Sequence, residues 1–484
     1  MFFRQITDPK LAQYAYLIGC QQTGEAVIID PERDIDRYVA AAEAEGLEIV
    51  AATETHIHAD FVSGVREFAE RGARVYVSGD GDDDWQYGWL QKGSYDAVVL
   101  HDGDAFDIGN IHVEALHTPG HTPEHISFLV TDGGAGANVP MGIVSGDFVF
   151  VGALGRPDLL EKAANVAGAM EPSARRLHES VQRFLELPEF LQVWPGHGAG
   201  SACGKSLGAV PESTVGYEKR FSPALEAAAR GADHFVEYIL EGQPEPPMYF
   251  AQMKAWNRDG PPVLGRLPEP RAVPARELAE LDRSSSVVID TRADRSEFMA
   301  SHLPGSIYIP LTNSFNTAAG SVVTDESTEI YLVIGPEDLE EAVRDLVRVG
   351  IDRVVAFTTP DGLREYVAAG GTAASIPEID FEGARDVLAS TPSRMLDVRY
   401  QSEFAAGHVP GAVNASYTRL PAYTDRLDAI EPSETLLVHC LSGARAAVAS
   451  SWLARQGYSV QYVNDLFATY VASADVEKEQ PIAV

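Results

Sequence analysis

Four turns carrying metal-type donors, each at the end of an apolar strand-like run, constrain this chain most. The first is Thr53–Phe61, T-E-T-H-I-H-A-D-F, which follows the apolar Leu47–Ala52. His56, His58 and Asp60 alternate there, and three donors two residues apart can converge on one metal from a tight loop. Taken alone, a polar loop with two incidental histidines fits that stretch equally well. Three further turns follow in order. Thr118–Thr122 places His121 on a Pro-Gly turn, Ser145-Gly-Asp147 follows the strand-like Gly142–Val144, and Trp194-Pro-Gly-His197 follows Phe190–Val193.

Donor-bearing turns at strand ends, in this order, resemble a metallo-β-lactamase-type site. The resemblance covers roughly residues 1–250. The local patterns agree with it. Tyr14–Ile18 and Ala26–Ile29 read as short strands, Ile35–Glu45 as a helix stopped by Gly46, and Gly109–Val113 and Ser127–Val130 as further strands. Helical stretches follow at Pro172–Leu187 and 222–241. The expected fold is an αββα sandwich. The acidic loop Gly79–Asp84 reads as a solvated turn, because it lacks the full set of spaced calcium ligands.

Composition excludes some partners. Lys+Arg number 37 against 71 Asp+Glu, a net charge of −34 over 484 residues. Such a surface repels nucleic acid and anionic lipid. No apolar run is long enough to span a bilayer, and Met1-Phe2-Phe3-Arg4 lacks the order of a signal peptide. The expected location is the cytoplasm. Three scattered cysteines, Cys20, Cys203 and Cys440, do not form a disulfide framework.

Proline-rich stretches at Gln243–Pro247 and Gly260–Pro274 mark a domain boundary. An internal repeat follows. Asp290-x-Arg292, Glu297-Phe298 and His302-x-Pro-Gly305 recur as Asp397-x-Arg399, Glu403-Phe404 and His408-x-Pro-Gly411. Alternating strands and amphipathic helices in each unit predict a small parallel α/β domain, present twice. Asp-x-Arg followed by H-x-P-G resembles the rhodanese domain. The expected divisions are 1–255, 270–374 and 375–484.

In the second repeat the strand Leu436–Val438 runs into His439-Cys440-Leu-Ser-Gly-Ala-Arg445 and a helix-like run. A cysteine just before a helix faces unpaired backbone N–H groups, which favour a thiolate. The order C-x-x-G-x-R resembles the active loop of rhodanese sulfurtransferases. That implies a persulfide on Cys440, with Arg445 supplying a positive charge. The first repeat has Gly335-Pro336-Glu337-Asp338 at this place and no cysteine. It is expected to be a degenerate, structural rhodanese.

Lactamase-type domains commonly hold two zinc ions and hydrolyse esters, amides or thioesters. The second ion usually needs a histidine after the aspartate of H-x-H-x-D, and here that residue is Phe61. A single-metal site follows, and two histidines with a carboxylate suit non-haem Fe(II) and O₂. The resemblance then narrows to persulfide dioxygenases fused to rhodanese domains. It implies one Fe(II) per chain on His56, His121 and Asp147, with His58, Asp60 and His197 orienting ligands or substrate. It also implies oxidation of a small thiol persulfide by O₂ to sulfite and thiol, with Cys440 passing sulfur to or from thiosulfate, and a dimer or tetramer. Arg156, in Gly155-Arg-Pro-Asp158, is expected to support the metal pocket or an anionic substrate, unless it is a surface arginine or simply pairs with Asp158. Cys203 is expected to contact substrate or carry sulfur, with Lys205 lowering its pKa, or else to pack. His125 stays open between the cleft and a strand-edge surface position, and Cys20 has no assigned role. The alternative is a zinc thioester hydrolase of glyoxalase II type joined to a sulfurtransferase.

Overall fold

A computed structural model of the chain describes residues 1–162, 168–423, 427, 430–431 and 433–473. It divides into two compact units, Met1–Arg266 and Leu267–Val484.

The first unit holds two six-stranded sheets. One comprises β1 (Phe2–Asp8), β2 (Gln13–Cys20), β3 (Glu25–Ile29), β4 (Glu48–Thr53), β5 (Arg74–Ser78) and β6 (Ala97–Leu100) in sequence order. The chain runs antiparallel through β3 and parallel from there to β6. The other comprises β7 (Ala105–Ile108), β8 (Ile111–His117), β9 (Ile126–Asp132), β10 (Gly142–Gly146), β11 (Gln192–Pro195) and β12 (Ser213–Thr214). Only its β10–β11 pair is parallel.

Burial fixes the layering. The strand β2 is buried along its whole length, as a strand covered on both faces must be. One of its faces joins Val27, Val113, Phe128, Val144 and Trp194 in the core between the sheets. The opposite face, with Leu17 and Ile28, packs beneath Tyr38 and Phe68 from helices. The second sheet is covered by the helix Met170–Glu186, whose Ala174, Leu177, Val181 and Phe184 recur at helical spacing. The result is the expected αββα sandwich.

Two local details differ from the sequence reading. The stretch 222–241 is two helices, Pro223–Ala229 and Ala232–Leu240, broken where Gly231 takes φ +114°. The helix Phe250–Asp259 continues past residue 255, and the compact unit runs on to Arg266. The acidic loop is the exposed turn expected, with a short helical turn over Asp83–Trp85 and the Asp82 carboxylate accepting the N–H of Asp84.

The second unit holds two five-stranded parallel sheets with one shared topology. The first contains β13 (Arg271–Ala272), β14 (Ser286–Asp290), β15 (Ile307–Tyr308), β16 (Glu329–Val333) and β17 (Val354–Thr358), in the order β13-β17-β16-β14-β15. The second contains β18 (Glu378–Ile379), β19 (Ser393–Asp397), β20 (Val413–Asn414), β21 (Thr435–His439) and β22 (Val460–Val463), in the order β18-β22-β21-β19-β20. The repeat motif has the same job in both. Arg292 pairs with Asp290 and Arg399 with Asp397, all buried. His302 and His408 stack on Phe298 and Phe404 and bond their carbonyls through Nδ1 at 2.8 and 2.9 Å. The expected end of the last segment, 474–484, lies outside the described residues. Among the described residues no helix is long and apolar enough to cross a membrane.

Candidate metal centre and sulfur-transfer loop

The four donor turns meet at one edge of the sandwich. His56 follows β4, His121 lies between β8 and β9, Asp147 follows β10, and His197 follows β11. Close backbone approach makes this meeting possible. A Cβ on Gly196 would sit 2.5 Å from Asp147 Oδ1, and Gly146 adopts φ +50° beside Thr55 and His125. Only glycine tolerates these positions.

His56, His121 and Asp147 bring one donor atom each within 4.8 Å of one another, all buried. Asp147 Oδ2 lies 3.5 Å from His121 Nε2 and 3.9 Å from His56 Nε2. The other ring nitrogens are tied off. His121 Nδ1 donates to the carbonyl of Arg156 at 3.1 Å. His56 Nδ1 lies 3.0 Å from Thr55 Oγ1, which bonds Asp30. Both Nε2 lone pairs are thereby turned toward Asp147. Burial drives the imidazoles toward neutrality, His56 well below its ordinary value and His121 down to about 3. Burial also pushes the Asp147 carboxyl up to about 6. Both Asp147 carboxylate oxygens are buried without a hydrogen bond to any described residue. Neutral nitrogens around an uncompensated carboxylate fit a divalent cation, which reverses the local pKa logic.

A second donor group lies alongside. Asp60, His197 and Cys203 also converge within 4.8 Å, all buried. His197 Nε2 is 3.2 Å from Asp60 Oδ2 and 3.5 Å from Asp147 Oδ1. Sequence reasoning treated the second site as broken at Phe61 and did not foresee that Cys203 supplies a third donor from elsewhere. The Cys203 thiol is held well above its ordinary pKa by burial and by the Asp60 and Asp147 carboxylates. Lys205 does not lower it, because its ammonium bonds the carbonyls of Tyr238 and Glu241.

His58 stands apart from both groups. Its Nε2 contacts Asp30 Oδ1 at 3.1 Å. Burial opposes its charge, but the Asp30 carboxylate outweighs that and holds the imidazole up at about 9. The Phe61 ring packs against it at 4.3 Å. His125 is neither in the cleft nor at the surface. It is fully buried, its Nε2 accepts the N–H of Asp147 at 3.1 Å, and its Nδ1 bonds Thr118 Oγ1 at 2.8 Å. Arg156 is fully buried as well. Its guanidinium is committed to both oxygens of Asp158 and to the carbonyls of Ala202 and Pro244. It therefore reaches no substrate, and supports the centre through its own carbonyl on His121.

Two further supports escaped the sequence reading. Asn257 donates to the carbonyls of His58 and Phe61 at 2.8 and 2.7 Å and accepts the N–H of Ser63 at 2.9 Å. Glu124 accepts the N–H of Ile57 at 2.7 Å. Asn257 lies on the helix Phe250–Asp259, and no local pattern marks that helix as folding back onto the donor loop. Glu124 does sit in the T-P-G-H-T-P-E-H run, and its closeness to His121 was the available signal.

In the second unit Cys440 follows β21, just before the helix Ala444–Arg455, and is buried. Gly443 takes φ +86°, where a Cβ would strike the Tyr462 hydroxyl at 2.6 Å. Arg445 does not present a free charge. It makes a two-pronged pair with Glu403 at 2.6 and 2.8 Å, which holds its guanidinium strongly protonated despite burial. In the first repeat β16 runs into a single turn over Pro336–Asp338, with no thiol there.

The sequence profile of the metallo-β-lactamase superfamily matches residues 8–197. A solved metallo-β-lactamase structure from Staphylococcus aureus subsp. aureus COL is 41% identical, covers 74% of this chain and 99% of its own, and superposes with a TM-score of 0.65. The chain belongs to the metallo-β-lactamase superfamily. A rhodanese-like domain profile matches residues 382–470, so this superfamily member carries a rhodanese-like domain after its lactamase fold. It is similar to the mitochondrial persulfide dioxygenase ETHE1 of Bos taurus, 26% identical over 230 residues, which are 46% of this chain and 76% of that one. It is also similar to the cytoplasmic hydroxyacylglutathione hydrolase of Arabidopsis thaliana, 32% identical over 186 residues, 38% of this chain. That match spans 63% of the plant protein, less than two thirds of its length.

Proposed function

We propose that the lactamase-fold unit is a non-haem iron persulfide dioxygenase and that Cys440 carries sulfur as a persulfide in a coupled transfer. The reaction is R–S–SH + O₂ + H₂O giving R–SH, sulfite and two protons. The observation that carries this reading is the convergence of His56, His121 and Asp147, two histidines and one carboxylate, with His58 outside the group and its Nε2 on Asp30. Fe(II) held by His56, His121 and Asp147 would supply activation of O₂. The chain's own residues do the rest. The Arg156 carbonyl and Thr55 keep both Nε2 atoms aimed at the centre, and His125 holds the backbone of Asp147. Beside His121 a small apolar pocket walled by Ile57, Trp85, Leu159, Leu160 and Phe250 keeps water away from the centre. Lys254, packed on the Trp85 ring, stands at that pocket for an anionic group. Likeness to the bovine persulfide dioxygenase supports the reading. The enzyme is expected to act in the cytoplasm as a dimer or tetramer, on small thiol persulfides, with sulfite and thiosulfate as partners of Cys440.

A zinc-dependent thioester hydrolase is the second reading. The adjoining Asp60, His197 and Cys203 group favours it, since a second ion there would give a two-metal centre.

The test is anaerobic purification, quantification of iron and zinc, and O₂ uptake on glutathione persulfide. Iron near one per chain, with O₂ consumption that survives Cys440→Ser and is lost in His121→Ala, supports the dioxygenase. Zinc with no O₂ uptake on any persulfide, and thioester hydrolysis instead, overturns it.

A further inference from the structure

Arg445, the arginine of the C-x-x-G-x-R loop, is neutralised by Glu403. Arg399 is likewise committed, to Asp397 and the Gly407 carbonyl, and it packs over the Phe467 ring. A loop that exchanges sulfur with a doubly charged oxyanion still needs a cation. The silent repeat provides one.

Arg295 opens the short helix Arg295–Ala300 of the first repeat. Its Cζ lies 3.3 Å from the point a Cβ on Gly443 would occupy, against the reactive loop of the other repeat. It is half-buried and makes no hydrogen bond or ion pair with the described residues. A chain of polar contacts fixes this junction. Ser296, the next residue, bonds Asn464 at 3.4 Å, Asn464 bonds the Tyr462 hydroxyl at 3.0 Å, and that hydroxyl donates to the Gly443 carbonyl at 3.1 Å. Glu378 joins Ser296 and Asn464 from the side. The Tyr462 hydroxyl, raised by its burial, is lowered by the charge of Arg295 and raised by that of Cys440, which places both groups around one ring.

We propose that Arg295 is the oxyanion-binding residue of the Cys440 site, holding the sulfonate end of thiosulfate, or free sulfite, beside the reactive loop. The proposal rests on the reading of Cys440 as the sulfur carrier, and it gives the thiol-less repeat a role in that reaction. A guanidinium suits a planar set of sulfonate oxygens, which it can engage with two parallel hydrogen bonds. The Cys440 thiolate attacks the outer sulfur of thiosulfate, forming a new S–S bond. The bond between the outer sulfur and the sulfonate sulfur breaks, and its electron pair leaves with sulfite. Charge is conserved: thiolate and thiosulfate dianion become persulfide anion and sulfite dianion. Arg295 steadies the dianion before the step and the departing sulfite after it. The reverse transfer, from Cys440 persulfide to sulfite, uses the same contact.

The test uses the full chain with thiosulfate as sulfur donor and cyanide as acceptor, in the wild type, Arg295→Ala and Arg295→Lys. Arg295→Ala is expected to raise KM for thiosulfate by about tenfold or more, the loss of one charge-assisted contact. Discharge of preloaded Cys440 persulfide by cyanide, and loading of Cys440 from glutathione persulfide, are expected to stay unchanged, because neither handles a sulfonate. Arg295→Lys is expected to recover part of the KM. An unchanged thiosulfate KM in Arg295→Ala overturns the proposal, and so does an equal loss in all three measurements, which marks a structural role. A wild-type chain whose Cys440 gains no sulfur mass from either donor overturns the sulfur-carrier reading itself and the proposal with it.

Discussion

The Nε2 atom of His125 accepts the backbone N–H of Asp147 at 3.1 Å. This residue is thus no ligand, yet it sets where the Asp147 carboxylate stands. Replacing it with leucine leaves a buried N–H without an acceptor. We expect His125→Leu to weaken metal binding by about 10–100-fold, the usual cost of losing an outer support. Metal titration of the stripped protein reads this directly, and unchanged affinity would refute the assigned role.

Asn257 closes the donor loop from a distant helix through three hydrogen bonds. Its loss strands two carbonyls and one N–H in a dry interior. Asn257→Ala is expected to destabilise the first unit by about 3 kcal/mol and to lower the metal retained after dialysis. The urea midpoint and metal content measure both effects. A midpoint unmoved by the substitution would mean water replaces the side chain.

Asp158 pairs with the fully buried Arg156 at 2.7 and 2.8 Å. Burial opposes its charge, but the guanidinium bonds outweigh this and hold its carboxyl below the ordinary range. A depressed folded-state pKa contributes stability that is present above the unfolded value and lost as pH falls through the folded one. The window therefore lies below about pH 4. Asp158→Asn leaves Arg156 buried and unpaired and is expected to cost about 3–5 kcal/mol at neutral pH. Its stability should also fall less steeply in acid than that of the wild type. Thermal melts from pH 3 to 7 compare the two, and parallel pH profiles would contradict the pairing argument.

The Cys203 thiol is buried between two carboxylates that hold it protonated. In metal-stripped protein it is expected to alkylate at least about 100-fold more slowly than in the unfolded chain, since the thiolate is the reactive form. Mass spectrometry of timed iodoacetamide reactions resolves Cys203 from Cys20 and Cys440. Fast labelling of native Cys203 would show that its loop opens.

Local chemistry made the architecture legible. Donor turns at strand ends, the repeated Asp-x-Arg and H-x-P-G motifs, and the Cys440 loop are short-range patterns, and each appears where the sequence placed it. His56, His121 and Asp147 converge because their turns lie at strand ends of the two packed sheets, β4 in one and β8 and β10 in the other. What the sequence by itself did not hold was the direction of each side chain. His58 and Phe61 stand in the same nine-residue stretch as His56, yet only the fold shows His58 drawn off to Asp30. Cys203 looked like a loop thiol that Lys205 would activate, and the fold sends that lysine to backbone carbonyls and sets the thiol beside Asp60 and His197. Arg445 looked like a free cation until Glu403, 42 residues away, paired with it. Arg295 meets Gly443 only because the two repeats pack as one unit. Spacing along the chain determines which donors can share a turn. Which of them stay free to bind is decided by partners distant in sequence, because a buried charge takes whatever counter-charge or hydrogen bond the packing brings near it.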